Sequence, residues 1–162
     1  MSRLDSFIRR LEAQRACLNN AAQLIASVPG NVLEFGLGNG RTYDHLREQL
    51  RGRDIYVFER KVAAHPDCIP PDDRLFVGDF LDSLPKAIAQ LGRDTALANL
   101  DIGTGDEAAS KQLARAMLPS VLLLLKPGGV LISDQPVDSA DLEALALPAG
   151  IKPGRYFLHR RR

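Results

Sequence analysis

The order of apolar segments along the chain predicts an α/β fold: a doubly wound, three-layer sandwich with a mostly parallel sheet and an extra N-terminal helix. Short apolar runs of strand type alternate with segments whose apolar residues recur every three or four positions, as in amphipathic helices. Each alternation implies a crossover between parallel strands, and right-handed crossovers leave few topologies besides the doubly wound sheet. The length of 162 residues suits one domain, which we expect to cover residues 1–162.

The first segment, residues 4–28, has apolar side chains mostly three, four or seven positions apart and predicts an amphipathic helix. Ser2 and Asp5 have the spacing of a capping box at its start. Pro29 and Gly30 are expected to end it. We therefore divide the chain into an N-terminal helical part, a core and a short C-terminal helix with an edge strand, at residues 1–29, 30–135 and 136–162.

The remaining elements follow from short apolar runs bounded by turn residues and from helical periodicity between them. Strands are predicted at 32–35, 55–58, 75–77, 96–100, 130–133 and 156–159. Helices are predicted at 42–50, 81–91, 107–125 and 141–147. Pro66, Pro70 and Pro71 interrupt the segment before the third strand, so we expect a short helix and a loop there. The Lys-Pro-Gly-Gly segment at 126–129 should stop the long helix and turn the chain.

Composition excludes several classes of protein. The net charge is +1, whereas nucleic-acid-binding domains usually show a basic excess, so a nucleic-acid partner is not expected. Cys17 and Cys68 form no disulfide framework or zinc motif. The N-terminus lacks the apolar stretch of a signal peptide, and the longest apolar run, 121–125, is far short of the ~20 residues that cross a membrane. We expect a reduced, cytoplasmic protein without a membrane partner.

The most informative segment is Val-Leu-Glu-Phe-Gly-Leu-Gly-Asn-Gly at 32–40, where a strand runs into three alternating glycines and then a helix. Glycine lets a ligand approach the backbone closely, and the helix N-terminus offers unpaired N–H groups. The dinucleotide fingerprint G-x-G-x-x-G would need a third glycine where Arg41 stands. Glu34 puts a carboxylate beside the turn, which repels pyrophosphate but suits a ligand with an ammonium or sulfonium centre.

At this point the sequence resembles the class I S-adenosylmethionine-dependent methyltransferases. Five segments carry the resemblance in the family's order: VLEFGLGNG at 32–40, IYVFE at 55–59, LFVGDF at 75–80, LANLD at 97–101 and LKPGGVLISD at 125–134. The resemblance implies a Rossmann-like fold whose last strand is antiparallel, with six to seven strands in the sheet. It also implies that S-adenosyl-L-methionine (SAM) is the cofactor and S-adenosyl-L-homocysteine (SAH) its product.

The resemblance also implies roles for particular residues. Gly36, Gly38 and Gly40 would form the floor under the methionine part of SAM, and Glu34 would hold its ammonium group, often through water. Glu59 would accept hydrogen bonds from both ribose hydroxyls, which suits a carboxylate because it only accepts. The full set expected to bind SAM is Glu34, Gly36, Gly38, Asn39, Gly40, Thr42, Glu59, Arg60, Asp79, Phe80 and Asp101.

By the same resemblance, Asp79 would accept from the adenine amine, Phe80 would pack against the ring, and Asp101 would lie near the transferred methyl group as the candidate catalytic residue. Other interpretations stay open. The glycine turn could be only a tight connection, Glu59 could complement a helix dipole, and Asp79 could be a plain helix N-cap.

A metal site is a less favoured possibility at the same edge of the sheet. Asp101 follows the fourth strand, while Asp134 and Gln135 follow the fifth, so oxygen ligands suited to magnesium could converge. The trio resembles the metal site of the catechol-type O-methyltransferases. It departs from that pattern because Gln135 replaces an Asn and no Lys follows Asp101 closely. We therefore expect no metal site, with magnesium dependence doubtful.

The leading functional hypothesis is a SAM-dependent methyltransferase acting on an O or N atom of a small molecule. The alternatives are a non-catalytic SAM-binding module and, with less support, an NAD(P)-dependent oxidoreductase. Only 28 residues follow Asp134, so we expect a trimmed sheet edge of perhaps six strands and no inserted substrate cap. The N-terminal helix, the loops near Pro70 and Pro136, or a second subunit should then close the pocket. A homo-oligomer is expected on this ground.

Overall fold

The computed structural model describes residues 2–162, and the predicted alternation of strands and helices is present. The helices are α1 Arg3–Leu24, α2 Arg41–Gln49, α3 Phe80–Leu91 and α4 Glu107–Leu124. The strands are β1 Asn31–Phe35, β2 Ile55–Glu59, β3 Leu75–Val77, β4 Thr95–Leu100, β5 Leu125–Ser133, β6 Leu142–Leu145 and β7 Phe157–Arg161. Two short 3-10 helices, Pro66–Cys68 and Asp72–Arg74, occupy the proline-rich segment before β3.

The seven strands form one sheet in the order β3-β2-β1-β4-β5-β7-β6. The pairs among β1 to β5 are parallel, whereas β7 runs antiparallel to both β5 and β6. This confirms the doubly wound, mostly parallel sheet with an antiparallel last strand. The strand order reverses between β1 and β4, and in open sheets of this kind ligands bind outside the carboxyl ends of the strands at that point.

The helices cover both faces of the sheet, which gives the three predicted layers. On one face, α1 and α2 pack over alternate strand residues that include Val32 and Ile132. On the other face, α3 and α4 cover the intervening residues, including Leu33 and Leu131. All five residues of β1 are buried, as expected for a central parallel strand with helices on both sides.

The N-terminal helix begins as predicted and ends earlier. Ser2 and Asp5 form the capping box, since the Ser2 hydroxyl accepts from the Asp5 N–H at 3.0 Å and the Asp5 carboxylate accepts from the Ser2 N–H at 3.1 Å. The helix ends at Leu24 and not at residue 28. Ile25 lies beyond that end but is fully buried, so the apolar pattern continues past the last helical turn. None of the helices within residues 2–162 is both long and apolar enough to cross a membrane.

The predicted helix at 141–147 is wrong, because Leu142–Leu145 is strand β6. The Leu-Glu-Ala-Leu sequence has high helix propensity, but propensity is a weak preference that tertiary pairing overrides. Here the segment pairs along β7, from Leu142 opposite Arg161 to Leu145 opposite Leu158. The sheet therefore has seven strands and not six, and no helix connects β5 to β6.

The Lys-Pro-Gly-Gly segment is placed differently from the prediction. It ends α4, as expected, but lies within β5, which begins at Leu125 directly after the helix. The pairing with β4 shifts between Thr95, opposite Leu125, and Leu97, opposite Val130. The extra residues form an irregularity in which Gly128 has φ +81°, a conformation that glycine adopts without strain.

Candidate functional site

A cavity of about 580 Å³ lies at the carboxyl ends of β1, β2 and β4, where the strand order reverses. Its volume falls within the roughly 300–1,000 Å³ typical of small-molecule sites. Eight of the eleven residues predicted to bind the cofactor line it, namely Gly36, Gly38, Asn39, Thr42, Glu59, Arg60, Phe80 and Asp101. A larger cavity of about 830 Å³ lies beside α4 and contains none of the eleven.

Neighbouring protein atoms explain why two of the three positions in the turn between β1 and α2 are glycine. The third position has no such neighbour. Gly36 has φ +92°, and a Cβ there would lie 2.2 Å from the carbonyl oxygen of Asp101. Gly40 has φ +86°, and a Cβ there would lie 2.4 Å from the Cβ of Cys68. Gly38 has φ +49° with nothing within 4 Å of such an atom. The turn is therefore packed against protein at 36 and 40 and open to the cavity at 38.

Glu59 ends β2 and reaches the glycine turn. Its Oε2 accepts from the N–H groups of Leu37 at 2.8 Å and Gly38 at 3.0 Å, and its Oε1 accepts from the Lys61 N–H at 3.3 Å. Because Glu59 precedes no helix directly, its interpretation as a helix N-terminal acid is wrong. The carboxylate fixes the turn and, since it lines the cavity and each oxygen has further acceptor capacity, it can also receive donors from a ligand.

Glu34 lies behind the turn and does not line the cavity. It is fully buried, and its two carboxylate oxygens accept from the Thr42 hydroxyl and from the Asn99 amide, the latter at 2.8 Å. These bonds tie β1 to the first turn of α2 and to β4. In this position Glu34 is an internal tie, and its expected role in holding the ammonium group of SAM, often through water, stays a prediction.

Burial raises the pKa of Glu34 to about 8, against the two hydrogen bonds that favour its charged form. Between the unfolded value of 4.5 and the folded value, the folded chain binds more protons than the unfolded chain, so Glu34 lowers the free energy of unfolding as pH rises through that window. Glu34→Gln removes this titration. We expect the variant to gain stability relative to the wild type from about pH 5 to about pH 8, measured by urea denaturation. If the difference in unfolding free energy between the two proteins stayed constant across that range, the raised pKa of Glu34 would be contradicted.

Asp79 is the N-cap of α3, as its alternative interpretation proposed. Its Oδ1 accepts from the Leu81 N–H at 2.9 Å, and its Oδ2 lies 3.3 Å from a guanidinium nitrogen of Arg60. Asp79 does not line the cavity, although Arg60 and Phe80 do. Phe80 is buried and packs edge-on against Phe35, with ring centroids 5.9 Å apart. This side of the cavity thus presents an aromatic wall and an ion pair.

Asp101 follows β4 and is held by α1. Its Oδ2 accepts from the Gln14 side-chain amide at 2.8 Å, and its Oδ1 lies 3.7 Å from the guanidinium of Arg10. Phe7, Arg10, Leu11 and Gln14 of α1 line the cavity, which confirms the expectation that this helix helps to close it. The loops near Pro70 and Pro136 do not line it. Sequence reasoning missed Arg10 and Gln14 individually, because no local pattern links them to a residue about ninety positions away.

Asp134 supports the loop after β4. Its oxygens accept from the N–H groups of Ile102 at 3.3 Å and Gly103 at 2.8 Å. Burial and then the nearby Asp101 charge raise its pKa. In the structure Asp134 thus serves the backbone of this loop. Within the part of the chain that the structure describes, no three His, Cys, Asp or Glu side chains are grouped closely enough to hold a metal.

Comparisons with known proteins identify what this chain is similar to. The family model for S-adenosyl-L-methionine methyltransferase matches residues 1–161. The crystal structure of an S-adenosyl-L-methionine methyl transferase from Silicibacter pomeroyi DSS-3 is 43% identical with a TM-score of 0.94, covering 100% of this chain and 99% of that chain. No protein among those with curated functions matches the sequence.

More distant solved structures share the fold. Human methyltransferase-like protein 13, in complex with SAH, is 16% identical with a TM-score of 0.53, covering 97% of this chain and 80% of that chain. The sugar N-methyltransferase KedS8 from Streptoalloteichus is 21% identical with a TM-score of 0.50, covering 90% of this chain and 61% of that chain. At these identities the likeness concerns the architecture alone.

Proposed function

Because this chain belongs to the S-adenosyl-L-methionine methyltransferase family, we propose that it transfers a methyl group from SAM to an O or N atom of a small-molecule acceptor and releases SAH. One observation carries the proposal. The glycine turn and the Glu59 carboxylate meet in one cavity, at the point where the strand order reverses. That is where open α/β sheets bind ligands.

The residues that line the cavity fit SAM. Gly38 leaves open space over the turn, which suits the methionine part of the molecule. Glu59 lines the cavity with a carboxylate that can accept from two ribose hydroxyls while it holds the turn. Phe80 offers an apolar wall for the adenine ring. Asp79 is better described as the cap that fixes Phe80 at the start of α3 than as the acceptor for the adenine amine.

When bound, SAM supplies a sulfonium methyl carbon to which the acceptor's lone pair bonds, as the carbon–sulfur bond breaks and its electron pair goes to sulfur. The protein's contribution is to orient the two reactants. Asp101, which follows β4, puts a carboxylate into the cavity wall. It can accept a hydrogen bond from the ammonium group of SAM, or it can receive the proton that the acceptor loses. Gln14 holds it in place. No lysine or histidine between residues 2 and 162 lines the cavity, so the proposal needs an acceptor that is nucleophilic without help from either side chain.

That lack of a strong base within the described cavity also favours the second candidate, a SAM-binding module without catalysis. Methyl-labelled SAM incubated with the protein and a small-molecule extract distinguishes the two. We expect label in a low-molecular-weight product, and none with heat-denatured protein. A protein that binds SAM but transfers no label would support the module. The homo-oligomer and the cytoplasmic location remain predictions.

A further inference from the structure

The cavity has a second wall that the cofactor does not need. If SAM lies over Gly38 and against Glu59, as the proposed function requires, α1 and the loop after β4 face the remaining space. Phe7, Arg10 and Leu11 come from the helix, and Ile102 and Thr104 come from the loop. This part of the lining combines apolar surface with the Arg10 guanidinium and the Asp101 carboxylate beside it. It is therefore the part that a methyl acceptor would contact.

The charged side chains that line the cavity differ in how many ion pairs and hydrogen bonds they make with the rest of the protein. Arg60 is paired with Asp79, and Glu59 is bonded to the turn. Arg41 takes part in no ion pair with any residue from 2 to 162. Arg10 lies 3.7 Å from Asp101, well beyond the roughly 2.7–2.9 Å of a charge-assisted hydrogen bond, and one of its five donors serves the Tyr156 hydroxyl. Two guanidinium groups thus retain donors for anionic groups of bound ligands.

Two carboxylates would match these two arginines. The carboxylate of the methionine part of SAM lies at the glycine turn in the proposed pose, beside Arg41 at the start of α2. Arg10 stands on α1 beside Asp101, and its side chain is half exposed. A guanidinium of this kind binds a carboxylate through two parallel hydrogen bonds. Because Arg10 is half exposed and makes no short hydrogen bond to Asp101, it can turn donors toward an anionic group that the cofactor does not provide.

Phe7 supplies the apolar half of the same wall. It lies one helical turn before Arg10 and lines the cavity, yet it is 46% exposed. Residues three apart on a helix share a face, so the ring and the guanidinium lie side by side. Leu11 continues the apolar surface next to them. An aromatic ring packs favourably against such a surface, while its carboxylate reaches the arginine.

We propose that the methyl acceptor is an aromatic carboxylic acid, whose carboxylate binds Arg10 and whose ring packs on Phe7 and Leu11. The inference rests on the proposed function, since it needs SAM on the turn side of the cavity. It assigns α1 the recognition of the acceptor. It also makes Arg10 a residue that determines specificity, while Gln14 continues to hold Asp101 in the cavity wall.

The test uses matched acids and amides with protein saturated with SAH. The probes are 4-hydroxybenzoate, 3,4-dihydroxybenzoate and 4-aminobenzoate with the corresponding benzamides, and binding is measured by calorimetry. We expect at least one acid to bind about tenfold or more tightly than its amide. Arg10→Gln should reduce that preference to about twofold or less and leave the Kd of SAH within about threefold. Arg51→Gln, at an exposed position outside the cavity, should change neither.

The outcomes separate this inference from the proposed function. Failure of the wild type to bind SAH would refute the proposed function. With SAH bound, equal binding of acids and amides, or no binding of any acid, would overturn the inference alone. So would an Arg10→Gln variant that keeps the preference for the acid but loses SAH affinity, because Arg10 would then serve the cofactor.

Discussion

Replacement of Gly36 by alanine is expected to remove measurable SAH binding and to destabilise the fold more than any other single methyl group added to the glycine turn. A Cβ at this position would lie 2.2 Å from a backbone oxygen of Asp101, and backbone cannot move aside as a flexible side chain can. Gly36 also has φ +92°, where an L-residue is strained. Relief of the clash must separate the ends of β1 and β4, which frame the cavity.

Gly52→Ala is the matched control. Gly52 has φ +87°, close to the value at Gly36, but a Cβ there has nothing within 4 Å. It should therefore show the conformational cost alone, about 1–2 kcal/mol, and normal SAH binding. Urea denaturation and calorimetry measure both effects. Equal losses of unfolding free energy in the two variants, with SAH binding kept in Gly36→Ala, would show that the close approach does not shape the site.

Glu59→Gln is expected to weaken SAH binding by about 10- to 100-fold with little loss of stability. The glutamine carbonyl can still accept from the N–H groups of Leu37 and Gly38, so the turn keeps its support. Its amide nitrogen can only donate, so one of the two acceptors proposed for the ribose hydroxyls is lost together with the charge. Hydrogen bonds to charged groups contribute roughly 1.5–3 kcal/mol, which corresponds to the expected range.

Calorimetric titration with SAH measures this effect, and Glu48→Gln is the control at an exposed position outside the cavity. A Glu59→Gln protein with wild-type SAH affinity would show that Glu59 acts only on the turn. A variant that unfolds at much lower urea concentration would indicate that its contacts with the turn dominate.

The parts of the structure that the sequence could predict are those with local signals. The glycine turn directly follows the apolar strand β1, and Glu59 is the last residue of the apolar strand β2. Their place at the carboxyl edge of the sheet therefore follows from the alternation of strands and helices alone. The N-terminal helix could likewise be placed against the pocket, because few other segments remained to close it. The capping box at Ser2 and Asp5 is a local pattern of the same kind.

The wrong prediction at β6, and the contacts of Glu34 and Gln14 that the sequence did not reveal, are set by residues far apart in the chain. β6 reads as a helix because only its pairing with β7 makes it a strand. Glu34 stands beside the turn in the sequence, but its side chain points back to Asn99 of β4, 65 residues away. Gln14 contacts Asp101 across 87 residues, and no spacing rule connects a surface helix to the end of a strand at that separation.

The most direct test of the account is calorimetric titration of the protein with SAH, SAM and NAD under the same conditions. The arrangement of the glycine turn, Glu59 and Phe80 predicts saturable binding of SAH and SAM at one site per chain, with no heat from NAD. Competition between SAH and SAM would confirm that they share that site. Binding of NAD in preference, or no binding of either SAH or SAM, would contradict the assignment of this cavity.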